Sequence, residues 1–241
     1  MHICLKLGFN LKKNQNIIKE ACSEAIELIQ DGYSVGLGSG RTMAEATRIL
    51  AEKTKQDGLN LRFVPSSYQI EFLAREYGLN VIDLNSVQTL DLTIDGADQV
   101  ELGTLNMIKG GGAALTREKI IGSNSRKVVI IIDENKLTNK LGKNICVPIE
   151  ILPFGINAII NNISQFGCTV TLRQGDGKVG PIITDNGNII VDADFGPIDD
   201  PISLESKINK IPGVIEVGIF SSIADFVYVA MKDYVKILRR E

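Results

Sequence analysis

Histidine is nearly missing from this chain. Its 241 residues include one, His2, beside the terminus. Acid–base chemistry here therefore has to run on carboxylates or lysines, tuned by burial and by their neighbours. Cysteine is sparse and scattered. Cys4, Cys22, Cys146 and Cys168 form no CxxC pair, and no thiolate or histidine spacing matches a zinc site. Isolated cysteines of this kind read as small buried hydrophobes in a reducing compartment. There is no basic block, and the formal net charge is −3. Nucleic-acid binders depend on clustered Lys and Arg, so nucleic acid is not an expected partner. No apolar run approaches the length of a bilayer span, so a membrane is not expected either. The opening MHICLKLGFN is too short, and too interrupted by Lys6, for a signal-peptide core. The expected location is the cytoplasm.

What is present is an ordinary globular composition, 44% hydrophobic and 23% charged. The length suits one large domain or two smaller ones, with a core that needs no staples. Ile17, Ile18, Ala21, Cys22, Ala25, Leu28 and Ile29 have helical spacing, and Asp31-Gly32 stops that helix. YSVGLGSG reads as a strand running into glycines, and Arg41 to about Lys55 as a second helix. LRFVP is a strand, followed by a helix that Ser66 or Ser67 can cap. Strands at NVIDL, LDLTID and KVVIIID, with a helix from about Gly112 before the last, complete the alternation. Alternating strands and helices predict a mostly parallel sheet with helices on both faces. VVIII has no polar alternation, as a strand covered on both sides requires.

The texture changes near residue 144. VPIEIL, a helix around 155–166, CTVTLR, a hairpin on Asn186-Gly187, a helix at 201–210 and GVIEVGIF follow the β-α-β-β-α-β order of a ferredoxin-like domain. The reading is α/β: a Rossmann-like three-layer domain over residues 1–143 and 220–241, and a smaller ferredoxin-like α+β domain over 144–219.

Ligands of parallel α/β sheets bind at the carboxyl ends of strands, and the unusual motifs fall there. VGLGSGRT is not a dinucleotide fingerprint. Arg41 stands where the third glycine belongs, and no acidic residue ends the second strand. It is not a P-loop either. It reads as a single-phosphate site made by the N–H groups of residues 38–42, the hydroxyls of Ser39 and Thr42, and Arg41 at a helix N-terminus, or as a plain tight turn. DGAD (Asp95, Gly96, Ala97, Asp98) offers two carboxylates for a metal or a polyol, or is an aspartate-rich turn. In KGGG, Lys109 supplies a cation and Gly110, Gly111 and Gly112 can form a nest of N–H donors for an oxyanion; the bland reading is a flexible linker. Ala114, Leu115, Glu118 and Ile121 share one helix face. Glu118 is thus a carboxylate in an apolar stripe, where burial raises a carboxylate's pKa into the range of a proton-transfer base. Its bland reading is an ion pair with Arg117, Lys119 or Lys136.

VGLGSGRT, SSYQIEFLAREYGLNVIDLN, TIDGAD, IKGGGAALTREKI, IDENK, LGKNICVPIEILPFG, TDNGNIIVDADFG and IPGVIEVGIF occur in an order that resembles the type A ribose-5-phosphate isomerases, from about residue 17 onward. The resemblance implies an aldose–ketose isomerase interconverting ribose 5-phosphate and ribulose 5-phosphate through an enediolate, in the non-oxidative pentose phosphate pathway. It implies no metal or cofactor, and a homodimer or homotetramer. It places the catalytic base on Glu118, substrate-contacting aspartates on Asp95 and Asp98, lysines on Lys109 and Lys136, and the phosphate loop on Ser39, Gly40, Arg41 and Thr42. The sequence departs from the family twice. The loop is usually Thr-Gly-Ser-Thr, and the acid that usually follows DGAD is Gln99 here. One rival reading is a sugar-phosphate-sensing module of the same fold, which would be expected to lose the base. Another is an NAD-dependent sugar oxidoreductase, disfavoured by Arg41.

Overall fold

The computed structural model describes residues 16–175, 177 and 179–240. His2 and Cys4, and Asp176 and Lys178 of the QGDGKVG loop, lie outside the described residues. In chain order the elements are α1 (16–26), β1 (Ser34–Leu37), α2 (Arg41–Asp57), β2 (Arg62–Pro65), α3 (Tyr68–Glu76), β3 (Leu92–Gly96), β4 (Gln99–Glu101), β5 (Met107–Ile108) and α4 (Leu115–Ser123). There follow β6 (Val128–Asp133), β7 (Leu137–Thr138), β8 (Val147–Ile151), α5 (Ile156–Ser164), β9 (Thr169–Leu172), β10 (Ile189–Asp194), α6 (Pro201–Ile208), β11 (Val214–Val217), β12 (Ile219–Phe220), β13 (Phe226–Ala230) and β14 (Val235–Arg239). The chain divides into two units. One holds residues up to Gly96, Asn124–Asn135 and the chain from Ala224 on; the other holds Ala97–Ser123 and Lys136–Ile223.

The first unit carries a six-stranded sheet in the order β14-β13-β6-β3-β1-β2. All its pairings are parallel except β13 with β14. The strands are apolar without alternation: SVGL is buried throughout, as is Val128–Ile132. Side chains from these strands meet Ala21, Cys22 and Ile26 of α1, Met43 and Leu50 of α2, and Ile70 and Ala74 of α3 in one core. Each large aliphatic side chain buried this way is worth about 1.5–3 kcal/mol. Pro65, which cannot donate to a ladder, ends the edge strand β2, the place a sheet tolerates it. The NVIDL segment is not the expected strand. Val81 makes one isolated bridge to Phe63, and Leu84–Ser86 is a 3₁₀ turn capped by the Asp83 carboxylate.

The second unit contains the antiparallel sheet β11-β8-β10-β9, the strand order of the ferredoxin-like βαββαβ fold. Val147, Ile149 and Ile151 of β8 pack with Ile159 and Ile163 of α5 and Ile208 of α6. Within the hairpin on Asn186-Gly187, Gly187 takes φ 80°. The arm before the turn pairs only as isolated bridges, Gln174 with Pro181 and Ile183 with Ile189. The chain is therefore α/β, with a mostly parallel Rossmann-like sheet and a ferredoxin-like α+β sheet. A third small sheet, β12-β5-β4-β7, was not legible in the sequence because its strands are two or three residues long.

Candidate active site

In the first unit the candidate residues follow β1 or close β3. Asp95 is 3% exposed, and its Oδ1 accepts the N–H of Gly96 at 2.7 Å. Its carboxylate lies against the backbone of Gly38. A Cβ on Gly38 would sit 1.8 Å from Asp95 Oδ1, so only glycine fits there. The second glycine of GLGSG is thus explained by an aspartate 57 positions away, because β1 and β3 are parallel neighbours.

Helix α2 begins at Arg41, with Gly40 as its N-cap, no capping side chain and no acid in its first turn. The expected cradle of N–H groups 38–42 is smaller than the sequence implies. Gly38 donates to Ile94 O at 2.9 Å, and Gly40 donates to Gln69 Oε1 at 3.0 Å. Ser39 Oγ lies 2.7 Å from both Ser66 Oγ and Ser67 Oγ. Ser67, rather than Ser66, caps α3. Arg41 is exposed at the first helical position, where a cation has no dipole partner in the helix itself.

In the second unit, the β4–β5 hairpin brings the end of DGAD beside KGGG. Asp98 N–H donates to Ile108 O at 2.9 Å, and Asp98 Oδ2 accepts the N–H of Gly111 at 2.7 Å. Lys136 Nζ donates to Ala97 O at 2.6 Å. Gln99 turns away from this cluster: its Nε2 donates to Lys143 O at 3.0 Å and its Oε1 accepts Gly142 N–H at 2.9 Å. The acid usual at that position would lose the first of these bonds, so Gln99 serves the 142–143 turn.

Lys109 and Glu118 are buried together, with Nζ 3.1 Å from Oε2 and side-chain exposures of 5% and 6%. Lys109 Nζ also lies 5.5 Å from the centroid of the Phe220 ring. The buried face with Ala114, Leu115 and Ile121 is as the spacing predicts. The ion-pair partner differs from the expected ones, each of which is engaged elsewhere. Arg117 bonds Asn186 Oδ1 and Asp185 O, both at 2.7 Å. Lys119 is held by Glu205, Glu216 and two backbone carbonyls. Lys136 is on Ala97 O. Lys109 was missed as the partner because it lies nine positions before Glu118, outside any helical pairing distance; the turn between them folds it back.

Helix α4 starts at Leu115, three residues later than read from the sequence, and the glycines form a turn before it. Gly110 has φ 109°, and a Cβ there would lie 3.0 Å from both Leu115 and Pro148. A Cβ on Gly111 would lie 2.8 Å from Asp98 Oδ1, whereas at Gly112 it would meet no atom within 4 Å. The run is a built turn and not a linker.

Two further residues were not picked out by sequence reasoning. Glu150 of β8, fully buried, accepts from Thr184 at 2.9 Å, Asn188 at 2.8 Å, Asn186 at 3.1 Å and Thr116 at 2.5 Å. A charge in the otherwise apolar VPIEIL was the available signal. Arg173 carried no signal. Among the described residues no group of three His, Cys, Asp or Glu is placed to hold a metal ion, and no helix is long and apolar enough to cross a membrane.

A carboxylate and an ammonium held together out of water suit reactions that move a proton while charge builds on a neighbouring oxygen. Isomerases that shift a proton between neighbouring carbons are one class of enzyme that needs such a pair. Comparison with known proteins narrows the class. The profile of the family described as ribose 5-phosphate isomerase A (phosphoriboisomerase A) matches residues 62–234. The ribose-5-phosphate isomerase A of Archaeoglobus fulgidus is 49% identical over 203 residues, 83% of this chain and 88% of that protein. The solved structure of ribose 5-phosphate isomerase A from Methanocaldococcus jannaschii is 40% identical with a TM-score of 0.91, covering 94% of this chain and 100% of that one. A D-ribose-5-phosphate isomerase solved in complex with phospho-erythronic acid is 44% identical, also with a TM-score of 0.91, over 94% of this chain and 99% of that one. The chain belongs to the ribose 5-phosphate isomerase A family.

Proposed function

We propose that this protein interconverts D-ribose 5-phosphate and D-ribulose 5-phosphate through an enediolate, with Glu118 as the single base. The observation that carries this reading is the buried Lys109–Glu118 pair at 3.1 Å, beside a glycine turn. Glu118 takes the proton from C2 of the open-chain aldose, and the C–H electron pair moves toward the C1 carbonyl, leaving negative charge on O1. Lys109 and the N–H of the glycine turn that Asp98 does not take stabilise that oxygen, which is charged only during reaction. Asp95 moves the hydroxyl proton from O2 to O1 and assists ring opening. Glu118 then returns its proton to C1, giving the ketose. Asp98 orients the sugar and the glycine turn together, and Lys136 adds positive potential. The Ser39–Thr42 turn at the start of α2 takes the phosphate, with the side chain of Gln69 giving up Gly40 N–H to it. The substrate that the A. fulgidus and M. jannaschii names specify, and the phospho-erythronic acid complex of a relative, support this assignment.

The same reading makes the protein a cytoplasmic homodimer or homotetramer of the non-oxidative pentose phosphate pathway, acting without a metal. The Rossmann-like domain is assigned to residues 1–143 and 220–241, and the ferredoxin-like small domain to 144–219. The test is incubation with ribose 5-phosphate in D2O, followed by NMR. Ribulose 5-phosphate carrying deuterium at C1, or ribose 5-phosphate carrying it at C2, is the expected result. Absence of interconversion overturns the proposal. Light scattering on a sizing column reads the oligomer.

A further inference from the structure

Arg173 follows β9, is only 13% exposed in its side chain, and reaches the glycine turn. Its Nη1 donates to Gly110 O at 2.7 Å and to Gly111 O at 3.1 Å. The other edge of the guanidinium grips Asp192, with Nε 2.8 Å from Oδ2 and Nη2 bonded to Oδ1. Asp192 stands on β10, paired with β9 in the antiparallel ladder, so a sheet holds the clamp rigid.

We infer that Arg173 is a positioning residue that aims and strengthens the N–H donors of the glycine turn. In a planar trans peptide the C=O and N–H point in opposite directions. Holding Gly110 O therefore fixes the N–H of Gly111, which donates to Asp98 Oδ2 at 2.7 Å. Holding Gly111 O fixes the N–H of Gly112 in the same manner, facing away from the guanidinium. Among the described residues the N–H of Gly112 has no hydrogen-bond acceptor, whereas that of Gly111 is taken by Asp98, so Gly112 N–H is the donor left for an incoming oxygen. A cation on a peptide oxygen also polarises that amide and makes its N–H a better donor. Lysine cannot replace this arrangement. A point charge cannot hold two carboxylate oxygens and two carbonyls in one plane.

The inference rests on the oxyanion role proposed above, and its test separates the two. The kcat and KM for ribose 5-phosphate are measured per folded molecule in Arg173→Ala, Arg173→Lys and Asp192→Asn. Alongside, the amide resonances of Gly111 and Gly112 are followed in protein labelled with ¹⁵N-glycine. Losing one oxyanion donor costs about 10²–10³-fold in kcat, so loosening it should cost Arg173→Ala about 10–100-fold, with KM within about threefold. Arg173→Lys should recover little of this. Asp192→Asn should show a smaller fall of the same kind, and provides the reading if Arg173→Ala does not fold. Both amide resonances should shift in each variant. A parental kcat, a change confined to KM, or unmoved glycine amides overturns the inference. A wild-type protein inactive on ribose 5-phosphate overturns the proposed function instead, and the amide shifts still decide the role of Arg173.

Discussion

Replacing Glu118 with glutamine separates catalysis from packing, because the amide keeps the shape of the side chain and cannot accept a proton from carbon. General-base catalysis is typically worth ~10²–10⁴-fold, equal to about 2.7–5.4 kcal/mol of barrier at about 1.36 kcal/mol per decade. No described histidine is available to take over, since the chain's one histidine is His2. The structure adds a stability cost. Lys109 is 4% exposed and sits 3.1 Å from the Glu118 carboxylate. Removing one partner of a buried ion pair costs about 3–5 kcal/mol. The glutamine oxygen still accepts from the ammonium, so roughly 2–3 kcal/mol is expected. In a chain of this size that lowers Tm by about 4–12 °C. The assay is therefore paired: thermal unfolding of Glu118→Gln, and kcat measured well below its Tm and normalised to folded protein. Loss of turnover by two decades or more together with a modest Tm drop supports the base assignment. A variant that is destabilised but turns over near the parent rate would refute it, and would leave Asp95 as the next candidate.

The other expectations follow from single observations. Arg41→Ala should raise KM about tenfold with kcat less affected, since a charge-assisted hydrogen bond is worth roughly 1.5–3 kcal/mol; an unchanged KM would assign Arg41 to solvent. Gly38→Ala should lose both stability, by about 1–3 kcal/mol from overpacking, and activity, because its Cβ would overlap Asp95 Oδ1 at 1.8 Å; a stable, active variant would show that Asp95 can move. Treatment with EDTA should leave the rate unchanged, and a large loss restored by a divalent ion would recast Asp95 and Asp98 as ligands. The Cys22 thiol is pushed up to about 12, first by burial and then by the Glu45 carboxylate. It should stay unreactive to a disulfide reagent at pH 8 until the protein unfolds. Because the folded value is the raised one, its contribution is present below the ordinary thiol range and is lost as pH rises through about 12. Labelling of native Cys22 at pH 8 would contradict the burial.

Much of this protein was legible along the chain, and the rest shows where linear reading stops. Periods of apolar residues found α1 and α3, and unbroken apolar runs found the long strands, because burial on one or both faces writes itself into spacing. The same logic put Glu118 on a buried face with Ala114, Leu115 and Ile121. DGAD and KGGG were conspicuous as an aspartate pair and a glycine run at strand ends, each with a bland reading, as a turn or as a linker, that spacing alone left open. Spacing failed for the sheet β12-β5-β4-β7, whose strands are too short for any period to show. It also failed at NVIDL, where one bridge replaces a strand.

The sequence by itself determined which residues are chemically capable, since residue type and helical phase are local properties. Only the tertiary structure decided which of them meet. Three cations lay within helical or motif reach of Glu118, and each is bound elsewhere. The pair forms instead with Lys109, because the turn at Gly110–Ala113 reverses the chain. Gly38 is glycine because parallel β1 and β3 press Asp95 against it. The carbonyls of Gly110 and Gly111 are held by Arg173, more than 60 positions away. Hydrogen bonds and ion pairs act over about 3 Å, and closing a longer loop to make one adds little entropy cost. Contacts of that reach leave no periodic mark in a sequence, so folding alone brings them about.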